Sequence, residues 1–321
     1  MLELMNGIRS TLEACEAVKP GEKALVIAAD DGKSMWIGYI LMNAIKSMGA
    51  EAVLTIMASQ WNYEEEPPAP VVAAMKSVDV FFHVTDKATV AHTIARKEAN
   101  AAGIKYYGIC QIPVDDLKEG VTTADMRLIK ERTESLAQRL TQAKVARVTS
   151  PSGTDITMSL AGREALALNP MHSLFASLPY YAEAAIAPVE GTGEGIVVAD
   201  LAVSAWNSLL REPLRFTVKK GRVVDISGGK QDAEGLSKIA ATDENANNIA
   251  ELGIGTSHII PSIMHGTRRD YARMGTAHVA MGRNNDFGGQ RWSHIHIDGL
   301  FSQATIELDN QCVLRNGSLL I

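Results

Sequence analysis

Two histidines and an aspartate alternate with isoleucines in a short segment near the C-terminus, at His294, His296 and Asp298. Because the side chains of a β-strand point alternately to its two faces, this pattern predicts a strand with all three polar groups on one face. Imidazole nitrogens and carboxylate oxygens are common ligands of divalent metal ions. The segment 292–298 therefore predicts a metal site, although a solvated strand face would show the same pattern.

Three further ionisable residues, Glu183, Glu251 and His278, each stand among small and apolar neighbours. A buried carboxylate without a partner is costly, so such residues are usually paired or bound to a metal ion. Each also has an ordinary explanation, as a carboxylate at the end of an element or as a hydrogen-bonded core histidine. With the C-terminal segment they supply three carboxylates and three imidazoles, enough for one metal ion or for two that share a bridging carboxylate.

The first part of the chain alternates apolar, strand-like runs with helical patterns. The predicted strands lie near residues 24–29, 52–56, 78–82 and 104–109. Each interval between them has room for a helix, which is typical of a parallel sheet covered by helices. We therefore expect an α/β N-terminal domain with a parallel sheet over residues 1–122.

From residue 123 to residue 321 the pattern is mainly that of antiparallel β structure. Hairpins are predicted over residues 145–160, 215–226 and 304–314, each around a short turn that contains glycine or asparagine. Helices are expected near residues 123–143 and 232–250. This part of the chain is predicted to be a mainly antiparallel β (α+β) metal-binding catalytic domain.

The composition excludes several classes of function. The formal net charge is −6 and the pI is about 5.8, whereas nucleic-acid-binding domains carry a basic face. No apolar run approaches the length of about 20 residues that a membrane-spanning helix needs, and the N-terminus lacks the pattern of a signal peptide. The three widely spaced cysteines indicate reduced thiols. We expect a cytoplasmic protein without nucleic-acid or membrane partners.

Several motifs follow one another in the second half of the chain, at residues 183–191, 251–256, 275–282, 288–289 and 296–298. In this order they resemble the C-terminal signature of the M29 metallopeptidases, the thermophilic aminopeptidases of the T/S type. The resemblance covers residues 145–321 closely and the first domain only loosely. It implies a two-domain homodimer that binds two divalent ions. It also implies metal ligands at Glu183, Glu251, His278, His296 and Asp298.

One position and one loop depart from the peptidase pattern. The peptidases have a tyrosine seven residues after the histidine matched by His278, whereas this chain has Asn285. The loop of residues 283–289 looks closer to that of a sister group, the 2,5-dihydroxypyridine 5,6-dioxygenases. Those enzymes share the fold and bind one iron(II) ion through two histidines and a carboxylate. Their first histidine aligns with Glu251 of this chain, and their counterpart of His278 is apolar.

The complete peptidase ligand set favours a divalent-metal-dependent hydrolase, either aminopeptidase-like or acting on a small amide. One or two zinc, manganese or cobalt ions would activate water, and Glu183 or Glu251 would take its proton. Arg283 and His294 are candidates for substrate binding, since a guanidinium pairs well with a carboxylate and His294 shares the predicted strand face. The expected partner is a small-molecule or short-peptide substrate.

The alternative is a mononuclear iron(II) dioxygenase that cleaves the ring of a hydroxylated N-heterocycle, as the loop of residues 283–289 implies. It predicts oxygen consumption, whereas hydrolysis predicts activity without oxygen. A third hypothesis is a binding or scaffold protein that has kept the fold without turnover. The complete ligand set argues against this third hypothesis, because a site without chemistry has no reason to retain buried charge.

Overall fold

The computed structural model describes residues 1–60, 65–87, 89–171, 173–206, 208–262 and 264–321. Their contacts divide the chain into two compact units, one of residues 1–130 and 168–181 and the other of residues 131–167 and 182–321. The division between residues 130 and 131 falls inside a long helix, Thr123–Gln142. Residues 168–181 belong again to the first unit. The domain boundary predicted after residue 122 stays a prediction.

The helices are numbered in chain order. They are α1 (Leu2–Ala14), α2 (Gly32–Ser47), α3 (Ala69–Met75), α4 (Ile94–Ala101), α5 (Val114–Glu119), α6 (Thr123–Gln142), α7 (Lys230–Ile239) and α8 (Arg268–Tyr271). Short 3-10 turns lie at Val90–His92 and Asn285–Phe287. Among the described residues, none of these helices combines the length and the apolar character needed to cross a membrane.

The strands are numbered in the same way. In the first half of the chain they are β1 (Lys23–Ala29), β2 (Glu51–Met57), β3 (Val80–Thr85), β4 (Lys105–Cys110), β5 (Val145–Thr149) and β6 (Asp155–Ser159). The middle of the chain forms β7 (Leu166–Leu168), β8 (Phe175–Ser177), β9 (Glu183–Ile186), β10 (Glu194–Ala199), β11 (Ala202–Val203), β12 (Leu214–Lys219) and β13 (Arg222–Gly228). The remainder forms β14 (Ile249–Gly255), β15 (Ala277–Gly282), β16 (His296–Phe301), β17 (Thr305–Leu308), β18 (Gln311–Arg315) and β19 (Ser318–Leu319).

The first unit is built on a five-stranded parallel sheet with the strand order β2-β1-β3-β4-β8. Strands β1, β3 and β4 are buried along nearly their whole length, as expected for inner strands of a parallel sheet. Their side chains form a core with α3, in which Ile27, Phe81 and Tyr106 pack with Met75. The predicted α/β domain with a parallel sheet is confirmed. Strand β8 was not predicted, because three residues are too few to show a periodic pattern.

The second unit contains two sheets of mainly antiparallel strands. One has eight strands in the order β13-β12-β10-β6-β5-β17-β18-β19, and the other has six in the order β11-β16-β15-β14-β9-β7. Val148 and Phe216 from the first sheet and Leu252 and Val279 from the second belong to one buried apolar cluster. The predicted antiparallel character of this part of the chain is confirmed.

The three predicted hairpins are present as β5–β6, β12–β13 and β17–β18. Two of them turn through left-handed residue pairs. Lys220 and Gly221 have φ angles of 49° and 67°, and Asp309 and Asn310 have φ angles of 48° and 68°. Two successive positive φ angles match the right-handed twist of the flanking strands, which explains why glycine and asparagine mark these turns.

Two element boundaries differ from the predictions. Helix α7 ends at Ile239 rather than near residue 250, because Asp243 accepts a hydrogen bond from the Asn245 backbone and starts a turn. Strand β16 begins at His296, so the predicted strand over residues 292–298 is too long. The Oδ2 atom of Asp243 also accepts hydrogen bonds from Ser293 Oγ and from the His294 backbone N–H, which holds this stretch outside the sheet.

Candidate metal centre

Four adjacent strands of the six-stranded sheet carry the ionisable residues that the sequence analysis selected. Glu183 lies on β9, Glu251 on β14 and His278 on β15. His296 and Asp298 lie two residues apart on β16, and their side chains therefore share a face. The order β16-β15-β14-β9 brings these strands side by side.

Glycines make room for these side chains on the sheet. Gly253 is paired with His278, and Gly255 is paired with Glu183. Because Glu251, Gly253 and Gly255 alternate along β14, all three face the same side. The imidazole of His278 therefore lies directly over Gly253, whereas Gly255 leaves room for the backbone carbonyls of Tyr271 and Arg273.

Glu251 is the centre of the cluster. Its Oε1 atom lies 3.6 Å from His278 Nε2, and its Oε2 atom lies 2.9 Å from His296 Nε2. Glu183 Oε2 lies 3.7 Å from the same nitrogen of His278, and Asp298 Oδ1 lies 3.1 Å from His296 Nε2. The potential ligand atoms form two groups that share Glu251, and within each group they lie within 4.8 Å of one another. The structure thus brings all five predicted ligands together.

The donor set fits a divalent metal ion. Glu183, Glu251 and His278 are only 4%, 1% and 2% exposed. Within the described part of the chain, Glu183 Oε2 and Glu251 Oε1 are buried and make no hydrogen bond. Buried carboxylate oxygens without partners are costly, and a cation between them removes that cost. Imidazole and carboxylate together suit iron, manganese and zinc.

His296 directs its Nε2 atom at two carboxylates, where a cation could bind. Its Nδ1 atom lies 2.7 Å from the carbonyl oxygen of Arg283, which can only accept, so Nδ1 carries a proton. Its Nε2 atom faces the carboxylates of Glu251 and Asp298, which would repel a lone pair. A proton or a metal ion on Nε2 removes this repulsion. The Phe287 ring also stacks on this imidazole, with 5.0 Å between ring centroids.

His278 is positioned by packing. A Cβ atom at Gly253 would lie 2.2 Å from both Cε1 and Nε2 of His278, so the imidazole needs a glycine beneath it. The ring of Tyr271, the last residue of α8, meets the imidazole edge-on with 5.4 Å between centroids. Its Nδ1 atom makes no hydrogen bond with any described residue. Steric contacts therefore fix the direction in which Nε2 points.

Burial and charge compete at these groups. Burial raises the pKa of Glu183 to about 7, opposed by His278 and reinforced by Glu251 and Asp298. Burial alone would lower the pKa of His278, but the close approach of Glu251 and the charges of the three carboxylates raise it to about 9. The pKa of His296 is also well above its ordinary value, because Asp298 and Glu251 outweigh burial. The same negative field attracts a divalent cation.

The two predicted substrate-binding residues lie in different surroundings. Arg283 is buried, its Nε atom lies 3.1 Å from Asp286 Oδ2, and its backbone carbonyl contacts His296 Nδ1. His294 is exposed, precedes β16 and packs edge-on against Trp292 with 4.4 Å between centroids. The predicted common face of His294 and His296 is therefore wrong. Substrate binding by Arg283 and His294 stays a prediction.

Sequence reasoning missed the residues that hold the two imidazoles, which are Gly253, Tyr271 and Phe287. Glycines at a spacing of two in the run from Glu251 to Gly255 were a signal, because a strand interior rarely has them without a packing reason. The two aromatic residues gave no local signal. Their contacts to the histidines depend on how loops return to the sheet.

Comparison with known proteins identifies the family. Residues 3–321 match the family described as NicX, 2,5-dihydroxypyridine 5,6-dioxygenase. No curated protein sequence matches the chain. Among solved structures, the chain is similar to 2,5-dihydroxypyridine dioxygenase from Pseudomonas putida KT2440, with a TM-score of 0.81 and 16% identity over 99% of this chain and 96% of that chain. It is also similar to wild-type AmpT from Thermus thermophilus, with a TM-score of 0.68 and 14% identity over 100% and 99% of the two chains.

The family match confirms the resemblance to the 2,5-dihydroxypyridine 5,6-dioxygenases and corrects the predicted activity. The prediction of a metal-dependent hydrolase of the aminopeptidase type is wrong, because the family match spans almost the whole chain and describes a dioxygenase. The likeness to AmpT, at 14% identity, shows the shared fold. The loop of residues 283–289 was therefore the better guide, and the ligand pair Glu251 and His278 misled the sequence analysis. The chain belongs to the 2,5-dihydroxypyridine 5,6-dioxygenase family.

Proposed function

We propose that this protein is an iron(II)-dependent dioxygenase that opens the ring of a hydroxylated N-heterocycle such as 2,5-dihydroxypyridine. Its family supports this reaction class. The observation in the site that carries the proposal is the pair of imidazoles, His278 and His296, that both direct Nε2 at the carboxylate of Glu251. Two histidines and one carboxylate are the ligand set of many non-haem iron(II) oxygenases.

The residues that would hold the ion are His278, His296 and the carboxylates of Glu251 and Asp298. The sequence resemblance implies that related dioxygenases have a histidine at the position of Glu251 on β14. In this chain the second imidazole comes instead from His278 on the adjacent strand β15. Either arrangement offers two imidazoles and a carboxylate on one face of the sheet.

Bound iron(II) supplies the redox chemistry that lets ground-state dioxygen react with a closed-shell aromatic ring. The protein contributes proton transfer, and we assign this role to Glu183. Its Oε2 atom is buried and without a hydrogen bond among the described residues, and burial raises the pKa of its carboxyl to about 7. A carboxylate with such a pKa can take the proton of a ring hydroxyl near neutral pH, which makes the ring richer in electrons.

The aromatic residues around the imidazoles limit the access of water. Tyr271 is only 3% exposed and covers an edge of His278, while Phe287 covers a face of His296. Apolar ring surfaces lower the local dielectric and strengthen the interactions of a bound cation with Glu251 and Asp298. A sheltered site also limits side reactions with solvent.

The test is oxygen uptake with 2,5-dihydroxypyridine. Protein loaded anaerobically with iron(II) should consume one equivalent of oxygen for each ring opened, and mass spectrometry should find both atoms of isotopically labelled dioxygen in the product. His296→Ala should abolish uptake, whereas His265→Asn, at an exposed position, should retain it. Iron-loaded protein that consumes no oxygen with 2,5-dihydroxypyridine or other hydroxypyridines would contradict the proposal.

A further inference from the structure

We infer that Asn284 is a positioning residue of the metal centre, which fixes the loop between β15 and β16 and, through this loop, the orientation of His296. The inference rests on the proposed metal site. Residues 283–295 form the loop, hereafter the β15–β16 loop. Asn284 is fully buried, although loop residues usually lie at the surface. A buried amide in a loop needs partners for all its polar groups.

All four polar groups of Asn284 make hydrogen bonds, three within the β15–β16 loop and one to Glu190 outside it. Its Nδ2 atom donates to Glu190 Oε1 at 2.9 Å, and its Oδ1 atom accepts from the Arg291 backbone at 2.7 Å. Its own N–H donates to the carbonyl of Arg291 at 3.0 Å. Its carbonyl accepts from the N–H groups of Phe287 and Gly289, both at 3.0 Å. One residue therefore ties the start of the loop to its middle and its far side.

Glu190 anchors this arrangement from outside the loop. Its Oε1 atom also accepts from the Gln290 backbone at 2.8 Å, and its Oε2 atom pairs with Arg163. Arg163 in turn donates to the carbonyl of Gly288 at 2.6 Å. Burial tends to raise the pKa of Glu190, but the hydrogen bonds from Gln290 and Asn284 hold it below its usual value. Glu190 is thus a charged acceptor that fixes the loop at several points.

The two contacts that orient His296 both come from residues that Asn284 holds. The carbonyl of Arg283 accepts a hydrogen bond from His296 Nδ1, and Arg283 immediately precedes Asn284 in the chain. Phe287, whose ring stacks on the imidazole, donates its N–H to the carbonyl of Asn284. If the Asn284 amide is removed, the hydrogen bond to Nδ1 and the stacked ring lose their common support. Such outer contacts typically change metal affinity by about 10- to 100-fold.

Gly289 offers an independent way to disturb the same amide. A Cβ atom at this position would lie 2.1 Å from Asn284 Cγ and 2.3 Å from both of its terminal atoms. Gly289→Ala must therefore displace the amide without altering its chemistry. Asn247→Ala is the matched control, because Asn247 also makes two side-chain hydrogen bonds in the same unit, with Arg222 Nη1 at 2.8 Å and the Val223 carbonyl at 3.2 Å.

The experiment measures zinc(II) affinity, as a redox-inert probe, by calorimetry of the metal-stripped full-length chain. Asn284→Ala and Gly289→Ala should each weaken binding by about 10- to 100-fold, whereas Asn247→Ala should leave it unchanged. A second readout is the exchange of the His296 Nδ1 proton with water, followed by NMR of the metal-stripped protein. Both loop variants should speed this exchange, because the hydrogen bond to Arg283 protects that proton.

The inference is overturned if both loop variants bind zinc as tightly as Asn247→Ala and keep the slow exchange of the His296 proton. The proposed function fails separately. Wild-type protein that binds neither zinc nor iron would refute the metal site, while the exchange rate would still test whether Asn284 holds His296. Urea unfolding of each variant distinguishes a local change in the loop from a loss of the fold.

Discussion

Both units of the molecule bury a histidine in the middle of a β-sheet, but in opposite electrostatic surroundings. In the first unit, His83 on β3 is 1% exposed and accepts a hydrogen bond from the Val90 backbone at Nδ1. Burial lowers its pKa to about 4. In the second unit, His278 is equally buried, yet its contacts with Glu251 and Glu183 outweigh burial and raise its pKa to about 9.

The difference lies in what the neighbouring strands supply. On the strands beside β3, His83 is paired with Ile27 and Gly108. His278 is paired with Gly253, and Glu251 and Glu183 reach its imidazole from β14 and β9. Burial alone therefore does not identify a functional histidine. A buried histidine between apolar strands stays neutral, whereas one that meets carboxylates from two strands has a raised pKa and lies in a negative field that attracts cations.

Replacement of Glu251 by glutamine should have the largest effect on the difference in pKa between His278 and His83. The Glu251 side chain contacts both imidazoles of the cluster. Loss of one adjacent negative charge should lower the pKa of His278 from about 9 by about 1–3 units. NMR titration of metal-stripped protein measures this value. Glu244→Gln, at an exposed site in the same unit, is the control. An unchanged pKa of His278 would show that Glu251 is not the group that sustains it.

The pH dependence of the free energy of unfolding tests whether the pKa of His83 is lowered in the folded protein. The pKa of His83 is lower in the folded protein, about 4, than the ordinary value of 6.5. The contribution of neutral His83 to the free energy of unfolding is therefore complete above pH 6.5, and it is lost as the pH falls toward 4. The loss reaches about 3 kcal/mol, from about 1.4 kcal/mol per pKa unit.

The measurement is the free energy of urea unfolding of wild type and His83→Asn at several pH values. Asparagine can accept the Val90 hydrogen bond without titrating, so the difference between the two proteins should change between pH 6.5 and 4. His265→Asn, at an exposed position, should follow wild type throughout. Parallel curves for wild type and His83→Asn would mean that His83 is not held neutral by the fold.

Gly253→Ala tests whether steric contact with Gly253 positions His278 in the metal centre. The added methyl group would collide with the imidazole of His278, at 2.2 Å from Nε2. We expect zinc affinity to fall by about 10- to 100-fold, the range for displaced supporting groups. Gly235→Ala is the matched control, because its Cβ atom would meet Trp206 at an ordinary 3.6 Å. That change should stabilise α7 by about 0.5–1 kcal/mol and leave zinc binding intact. Equal zinc affinities of the two variants would contradict the prediction.

Much of the architecture followed from local patterns. Hairpins such as β12–β13 were predicted because turn residues and alternating strands lie within a few positions of each other. The start of β16 could not be predicted, because Asp243, some fifty positions earlier, holds the backbone of His294 at 3.0 Å. The short strand β8 is likewise defined by its pairing with β4 and not by its own residues.

The five side chains that meet in the candidate site could be named from the sequence because they occur in short motifs with a family resemblance. The activity could not, because Glu251 and His278 suggested a peptidase and a loop with no ligand suggested a dioxygenase. The supports of the site were also out of reach. Asn284 and Glu190 lie 94 positions apart and meet only in the folded protein. Local patterns report burial and turns, but not which side chains meet across a sheet.

The smallest expected effect on zinc affinity tests whether His296, but not His294, belongs to the metal centre. Phe287→Leu keeps an apolar side chain but removes the ring stacked on His296 at 5.0 Å. Such ring contacts contribute about 0.5–1.5 kcal/mol, so zinc affinity should fall by about 2- to 12-fold. Trp292→Leu removes a comparable contact to the exposed His294, at 4.4 Å, and should leave zinc binding unchanged. If Trp292→Leu weakened zinc binding as much as Phe287→Leu, His294 would have to belong to the metal centre, and the start of β16 at His296 would no longer separate ligand from surface residue.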